Sequence, residues 1–150
     1  MKAIGTIQEV LEAKDRMRVI SVTPRRTVYE ALKLMAEQNI GALMVLEEGK
    51  LLGIFSERDY ARKGVLHGHA SRETLVSQIM SSPVFSVTPT HTVDECMTLM
   101  TERHFRHLPV INEETVVGLV SIGDLVKWII DGHEQRILEL EGYISGVYPA

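Results

Sequence analysis

Apolar positions along this chain follow two alternating rhythms, and the succession of rhythms occurs twice. Val28, Ala31, Leu32 and Met35 fall at helical spacing, as do Val93, Cys96, Met97 and Met100, so each set predicts a helix with one buried face. Thr27 with Glu30, and Thr92 with Glu95, form capping boxes at the two helix starts. Before the first helix, Val19-Ile20-Ser21-Val22 reads as a short strand, ended by Pro24, which cannot continue a ladder. After it, Leu43-Met44-Val45-Leu46 is a continuous apolar run suited to a buried strand. Glu47-Glu48-Gly49-Lys50 is a hairpin turn, and Leu51-Leu52-Gly53-Ile54-Phe55 is the returning strand. A further helix starts at Ser56, and its counterpart starts at Ser121. Each half therefore reads β-α-β-β-α.

Sliding the chain against itself by 65 positions aligns Val19–Lys63 with Val84–Trp128 without a gap, and 17 of the 45 pairs are identical. Ser21-Val22-Thr23-Pro24 recurs as Ser86-Val87-Thr88-Pro89, and Gly53-x-x-Ser56-x-x-Asp59 recurs as Gly118-x-x-Ser121-x-x-Asp124. Such clustering makes the repeat the organising fact of the chain. A weaker echo, Thr6-Ile7 before Val10-Leu11 against Leu75-Val76 before Ile79-Met80, adds a short helical lead-in to each repeat. The predicted organisation is repeat 1 over 6–68, repeat 2 over 75–130 and a helical tail over 131–150. The tail carries Ile137, Leu138 and Leu140 and is expected to loosen from Gly142. The bridge Gly64–Arg72 is expected to be exposed. A unit of ~60 residues buries too little surface to be secure alone. The expected fold is therefore α+β, with two pseudo-twofold-related repeats packed sheet to sheet.

Composition narrows the function classes. The 150 residues carry sixteen Lys and Arg against twenty Asp and Glu, a net charge of -4. The isoelectric point is about 5.9 and the mean hydropathy +0.04. An acidic chain with only 5% aromatics is a poor general nucleic-acid binder, which needs a basic surface or a stacking platform. A single cysteine, Cys96, excludes an internal disulfide framework and suits a reducing compartment. No apolar run nears the ~20 residues of a membrane span, and acidic residues soon after Met1 argue against a secretory leader. A cytoplasmic protein is expected.

The doubled Gly-x-x-Ser-x-x-Asp at the strand-to-helix junction admits two readings. Ser-x-x-Asp is a capping pair that satisfies orphan amides at a helix start. The same geometry places a carboxylate where it can accept hydrogen bonds from a ribose diol, beside a helix N-terminus and a serine hydroxyl suited to phosphate. Gly53 and Gly118 would permit close approach of backbone.

With Thr-Pro-x-x-Thr-Val, then Ile40-Gly41-Ala42-Leu43 or Arg106-His107-Leu108-Pro109-Val110, then Gly-x-x-Ser-x-x-Asp, the doubled pattern closely resembles a tandem pair of CBS domains, over about residues 6 to 130. The resemblance implies a regulatory module binding an adenosine ligand (AMP, ADP, ATP, NAD or S-adenosylmethionine) in clefts between the repeats. It implies one cleft combining Ser121, Gly123 and Asp124 with Val19, Ile20, Ile40, Gly41 and Ala42. The other would combine Ser56, Arg58 and Asp59 with Val84, Phe85, Phe105, Arg106 and His107. The second of these clefts gathers cationic groups suited to phosphate. Members of the family often carry Ser or Thr immediately before the Asp, where this chain has Arg58 and Gly123.

The expectation is thus a stand-alone energy-sensing pair that binds an adenine nucleotide, AMP, ATP or NAD, and forms a homodimer. The alternatives are an interaction module with empty clefts or a binder of S-adenosylmethionine. No dinucleotide fingerprint, phosphate loop, nucleophile elbow or Cys-x-x-Cys pair is present, so no enzyme, catalytic cofactor or metal is expected. His67 and His69 flank Gly68 without further ligands, and His104 and His107 lie closer to a site, where contact with phosphate or a solvated or packed role are both open. Cys96 reads as a buried thiol, the methionines (Met17, Met35, Met44, Met80, Met97, Met100) as packing, and Trp128 as a buried ring closing the last helix.

Overall fold

The computed structural model describes residues 4–14 and 19–145; Met17 and the end of the tail, 146–150, lie outside the described residues. The described chain divides into two compact units, one of residues 19–87 and 109–119, the other of 4–14, 88–108 and 120–145.

The first unit is built on a three-stranded sheet in the order β1 (Ser21–Val22), β2 (Ala42–Glu47), β3 (Lys50–Ser56). β1 runs parallel to β2 with Ser21 opposite Met44 and Val22 opposite Val45, and β3 returns antiparallel. The first strand is shorter than its apolar run, because Val19 and Ile20 lie outside it. Ala42, Leu43, Met44 and Val45 are all buried, so β2 is covered on both faces and needs no alternation. Helix α2 (Val28–Gln38) carries the expected capping box: Glu30 N–H donates to Thr27 Oγ1 at 3.1 Å, and Thr27 N–H to the Glu30 carboxylate at 3.3 Å. It stops at Asn39, in the left-handed region that Asn tolerates. Its Val28, Ala31 and Met35 pack with Leu43, Val45, Phe55 and, from the short helix α4 (Val76–Ile79), Val76 and Ile79.

The helix after β3 is broken where the sequence predicts a continuous one. α3 spans only Glu57–Asp59, then a π turn covers Tyr60–Gly64 and a 3₁₀ turn Val65–His67. Gly64, expected in an exposed bridge, is buried, and a Cβ there would come 3.0 Å from the Tyr60 ring. The following loop folds back on α2: Val28 N–H donates to Thr74 O and Tyr29 N–H to Ser71 O. The Arg72 guanidinium sits 4.2 Å from the centre of the Tyr29 ring.

The second unit holds α1 (Ile7–Ala13), α5 (Val93–Arg103) and α6 (Ile122–Ser145). α5 repeats the capping box with Thr92 and Glu95 and ends at His104, again left-handed. Thr6 bridges Thr92, Ile7 N–H donates to His91 O, and Val93 N–H donates to Gly5 O. In the first unit Leu75 bridges Thr27 and Val76 N–H donates to Arg26 O. Each lead-in therefore docks on the Thr-capped helix of the other repeat, α1 on α5 and α4 on α2. α6 runs unbroken for 24 residues through Asp131 and Gly142, so the last repeat helix and the described tail are one element. Trp128 is consequently well inside α6; it is half-buried rather than enclosed, and its Nε1–H donates to Ile4 O at 2.7 Å.

Strands β4 (His107–Asn112) and β5 (Thr115–Ser121) pair with one another and are divided between the units. The strand expected at Val84–Val87 is reduced to a single bridge between Val87 and Val110. Pro109 stands where the first repeat has Met44, and without an N–H it cannot extend the ladder.

Candidate binding corners

Each repeat ends its hairpin in a strand-to-helix corner, and the two corners are filled differently. At the first, Asp59 N–H donates to Ser56 Oγ at 3.1 Å and Ser56 N–H to Asp59 Oδ2 at 3.0 Å, which closes the capping box. Asp59 Oδ2 also accepts from the Ser56 hydroxyl at 3.1 Å, while Oδ1 accepts from the Ser81 hydroxyl at 2.8 Å and faces Lys63 Nζ at 3.3 Å. Asp59 is 8% exposed, so this carboxylate is buried with its acceptor positions occupied. Ser81 is delivered by a reciprocal backbone bridge to Ile54. Gly53 permits it, since a Cβ there would lie 2.8 Å from Ser81 O and 2.7 Å from Met80 Sδ. The close backbone approach expected at Gly53 is thus made by the chain itself.

At the second corner the capping pair recurs: Asp124 N–H donates to Ser121 Oγ at 3.0 Å, and Ser121 N–H to Asp124 Oδ2 at 2.8 Å. Lys14 Nζ, from the end of α1, also contacts Oδ2 at 2.8 Å. Asp124 Oδ1 accepts no hydrogen bond among the described residues, and the Ser121 hydroxyl finds no acceptor there. The Asp124 side chain is 24% exposed against 11% for Asp59. Gly123 is exposed and adds no side chain to the corner.

Gly41 O accepts from Glu57 N–H at 3.1 Å and Arg106 O from Ile122 N–H at 2.8 Å, so each enters the corner of its own repeat. Arg58 is half-buried in the first corner. Ile20, Ile40, Val84 and His107 are half-buried and Ala42 is buried, while Val19, Phe85, Phe105 and Arg106 are exposed. The expected groupings of Asp59 with Arg106 and His107, and of Asp124 with Val19, Ile20 and Ile40, join residues of different units and stand as expectations of the sequence. Lys14, Lys63 and Ser81 were not among the expected site residues. Lys63 was readable as the i+4 partner of Asp59 on a helix; Ser81 and Lys14 carry no local signal.

Elsewhere, burial pushes the Cys96 thiol up to about 11, with Glu95 adding to the shift. Glu30 is held below the usual carboxylate range by hydrogen bonds from Arg26 and Thr27, and Glu95 by those from Thr92. Among the described residues no group of three or more His, Cys, Asp or Glu is placed to hold a metal ion. No helix of the described residues is long and apolar enough to cross a membrane.

The CBS domain family matches at residues 8–65 and 76–131. A mitochondrial CBS domain-containing protein of Arabidopsis thaliana, CBSX3, is 39% identical over 151 residues, covering 95% of this chain and 73% of that protein. A solved structure of a protein with CBS domains from Burkholderia ambifaria MC40-6 is 47% identical with a TM-score of 0.82, over 85% of this chain and 95% of that one. A CBS-CP12 protein from bloom-forming cyanobacteria, described as hexameric, is 28% identical with a TM-score of 0.72, over 82% and 71% of the two chains.

Proposed function

This chain belongs to the CBS domain family, with two repeats in tandem, and from that premise we propose that it is a regulatory module that binds an adenine nucleotide. The observation that carries the reading is the Asp124 corner. Among the described residues, one carboxylate oxygen of the partly exposed Asp124 accepts no hydrogen bond and the Ser121 hydroxyl finds no acceptor. That pair complements a ribose diol, whose hydroxyls donate to the carboxylate and accept from the serine. Lys14 adds a cation for a nearby phosphate. AMP, ATP and NAD share this ribose, so the corner recognises the class.

Occupancy acts by linkage: the ligand favours one arrangement of the protein, and a partner that prefers that arrangement reads it. No role as an enzyme is proposed. The chain is proposed to associate with itself, as a homodimer in the simplest case. Support comes from the exposed apolar residues Ile130, Ile137, Leu138 and Leu140 on α6 and from the hexameric relative. The buried, unpaired Cys96 suits a reducing compartment such as the cytoplasm.

A thermal-shift panel with AMP, ADP, ATP, NAD, NADH and S-adenosylmethionine tests this reading. A ligand at ~100 times its dissociation constant stabilises by about 2.7 kcal/mol. A shift with the adenine nucleotides is the expected result. A shift with S-adenosylmethionine alone would replace the ligand class, and no shift with any of the six removes the sensor function.

A further inference from the structure

Helix α6 carries an apolar stripe that the described residues leave exposed. Val126, Ile130, Ile137 and Leu140 form it, and exposure rises along the helix from 41% at Val126 to 64% at Leu140. With His133 these residues follow steps of four, three, four and three, and Ile144 continues the steps in the sequence. That is the 3.5-residue period of a seam between two helices, narrower than the face a helix turns to a globular core. The fully buried Leu125 lies off this stripe, so α6 meets its own unit with a different side. Leu138 is as exposed as its neighbours on the stripe but also lies off it.

The seam positions define a heptad register, with Ile130 and Ile137 at a and Val126, His133 and Leu140 at d. β-branched Ile at a with Leu at d is the choice that favours two parallel strands. In this register the sequence sets Arg136 at g and Glu141 at e, five residues on, which is the spacing that opposes unlike charges across a parallel, in-register pair. An antiparallel pair matching Ile130 with Leu140 would set Glu134 against Glu134 and Arg136 against Arg136. Sliding it to avoid those clashes would set Leu140 against Gly123 and leave the most exposed apolar residue of the stripe uncovered. Two His133 rings meet in the parallel pair, a polar layer that fixes register at a cost in stability.

We infer that α6 is a docking surface for a second copy of this chain, and that the two stripes pair as a short, parallel, in-register coil. The inference rests on the self-association proposed above and deepens it by naming the surface, the direction and the register. The seam from Val126 to Ile144 is under three heptads long, so the association is reversible and depends on concentration.

Sedimentation velocity of the full chain over a range of concentrations tests the surface, with thermal melting as the check on folding. The wild type is expected to dimerise. I137E and L140E are expected to weaken the dimer at least tenfold while each keeps a cooperative melting transition. L138E, the same kind of change at a similarly exposed residue off the stripe, is expected to dimerise as wild type does. H133L is expected to dimerise more tightly, because an apolar layer replaces a polar one. L140C is expected to form a disulfide with itself under mild oxidation, since equal positions meet only in the parallel, in-register pair; Cys96 is fully buried and does not compete. Association unchanged in I137E and L140E, lost equally in L138E, or weakened in H133L would overturn the seam while self-association stands. An associating L140C that forms no disulfide would overturn the parallel alignment. A wild type that stays monomeric at every concentration would remove the self-association reading and the seam with it.

Discussion

Replacing Gly53 by alanine is a sharp test of how the first corner is assembled. The new methyl group would stand 2.7 Å from the Met80 sulfur and 2.8 Å from the Ser81 carbonyl oxygen. The thioether can swing aside. The carbonyl cannot, because Ile54 N–H holds it at 3.0 Å and Ser81 N–H returns the bond to Ile54 O at 2.8 Å. Opening that bridge loses backbone hydrogen bonds of about 1 kcal/mol each, and overpacking adds roughly 1–3 kcal/mol. The stiffer unfolded chain offsets about 0.4–1 kcal/mol. A net loss of about 2–4.5 kcal/mol lowers the melting temperature by roughly 4–18 °C for a chain of this size. Differential scanning calorimetry of G53A reads the effect directly. G41A is the control, since a Cβ at Gly41 meets nothing within 4 Å, and its melting temperature should match wild type or slightly exceed it. A G53A protein as stable as G41A would refute the close seating of Met80-Ser81 against β3.

Further outcomes follow from individual residues. Glu113 and Glu114 both take positive φ, 48° and 72°, at a turn where the first repeat has Glu48 and Gly49. E114G should therefore raise stability in urea unfolding by about 0.5–1 kcal/mol, the left-handed penalty less the entropy of glycine. F55A, at a fully buried position, should cost about 3–5 kcal/mol in the same assay. Cys96, with its thiol pushed up to about 11, should resist a thiol reagent at pH 8 in the folded protein and react at once in denaturant. Rapid labelling of the native protein contradicts its burial. Glu30 and Glu95 are depressed in the folded state, so their contribution is present above the ordinary 4.5 and lost as pH falls through the folded values. The double variant E30Q/E95Q should show a flatter loss of stability below that pH than wild type.

Local chemistry made much of the fold legible. The capping boxes at Thr27 and Thr92 need only residues three apart, and the Glu48-Gly49 turn only its own backbone. The α2 face needs one helical period. Elements that depend on distant or subtler terms were not legible. Gly142 suggests a loosening tail, yet α6 passes through it to Ser145. Trp128 closes the last repeat helix in the sequence pattern, whereas α6 continues 17 residues beyond it to Ser145. Pro109 sits inside an apolar strand pattern, and its effect falls on the neighbouring ladder at Val87. The corners carry the same lesson. The repeated Gly-x-x-Ser-x-x-Asp located both, but what fills them comes from elsewhere: Ser81 lies 22 residues from Asp59, and Lys14 lies 110 residues from Asp124. A motif defined by its own spacing could not distinguish a closed carboxylate from an open one.

The most direct test of the central claim is equilibrium dialysis of the purified protein against labelled AMP and labelled ATP, with D124A in parallel. Retention of one nucleotide per chain by wild type, lost in D124A, is the predicted result. Equal concentrations on both sides of the membrane for wild type with both nucleotides would contradict an adenine-nucleotide sensor.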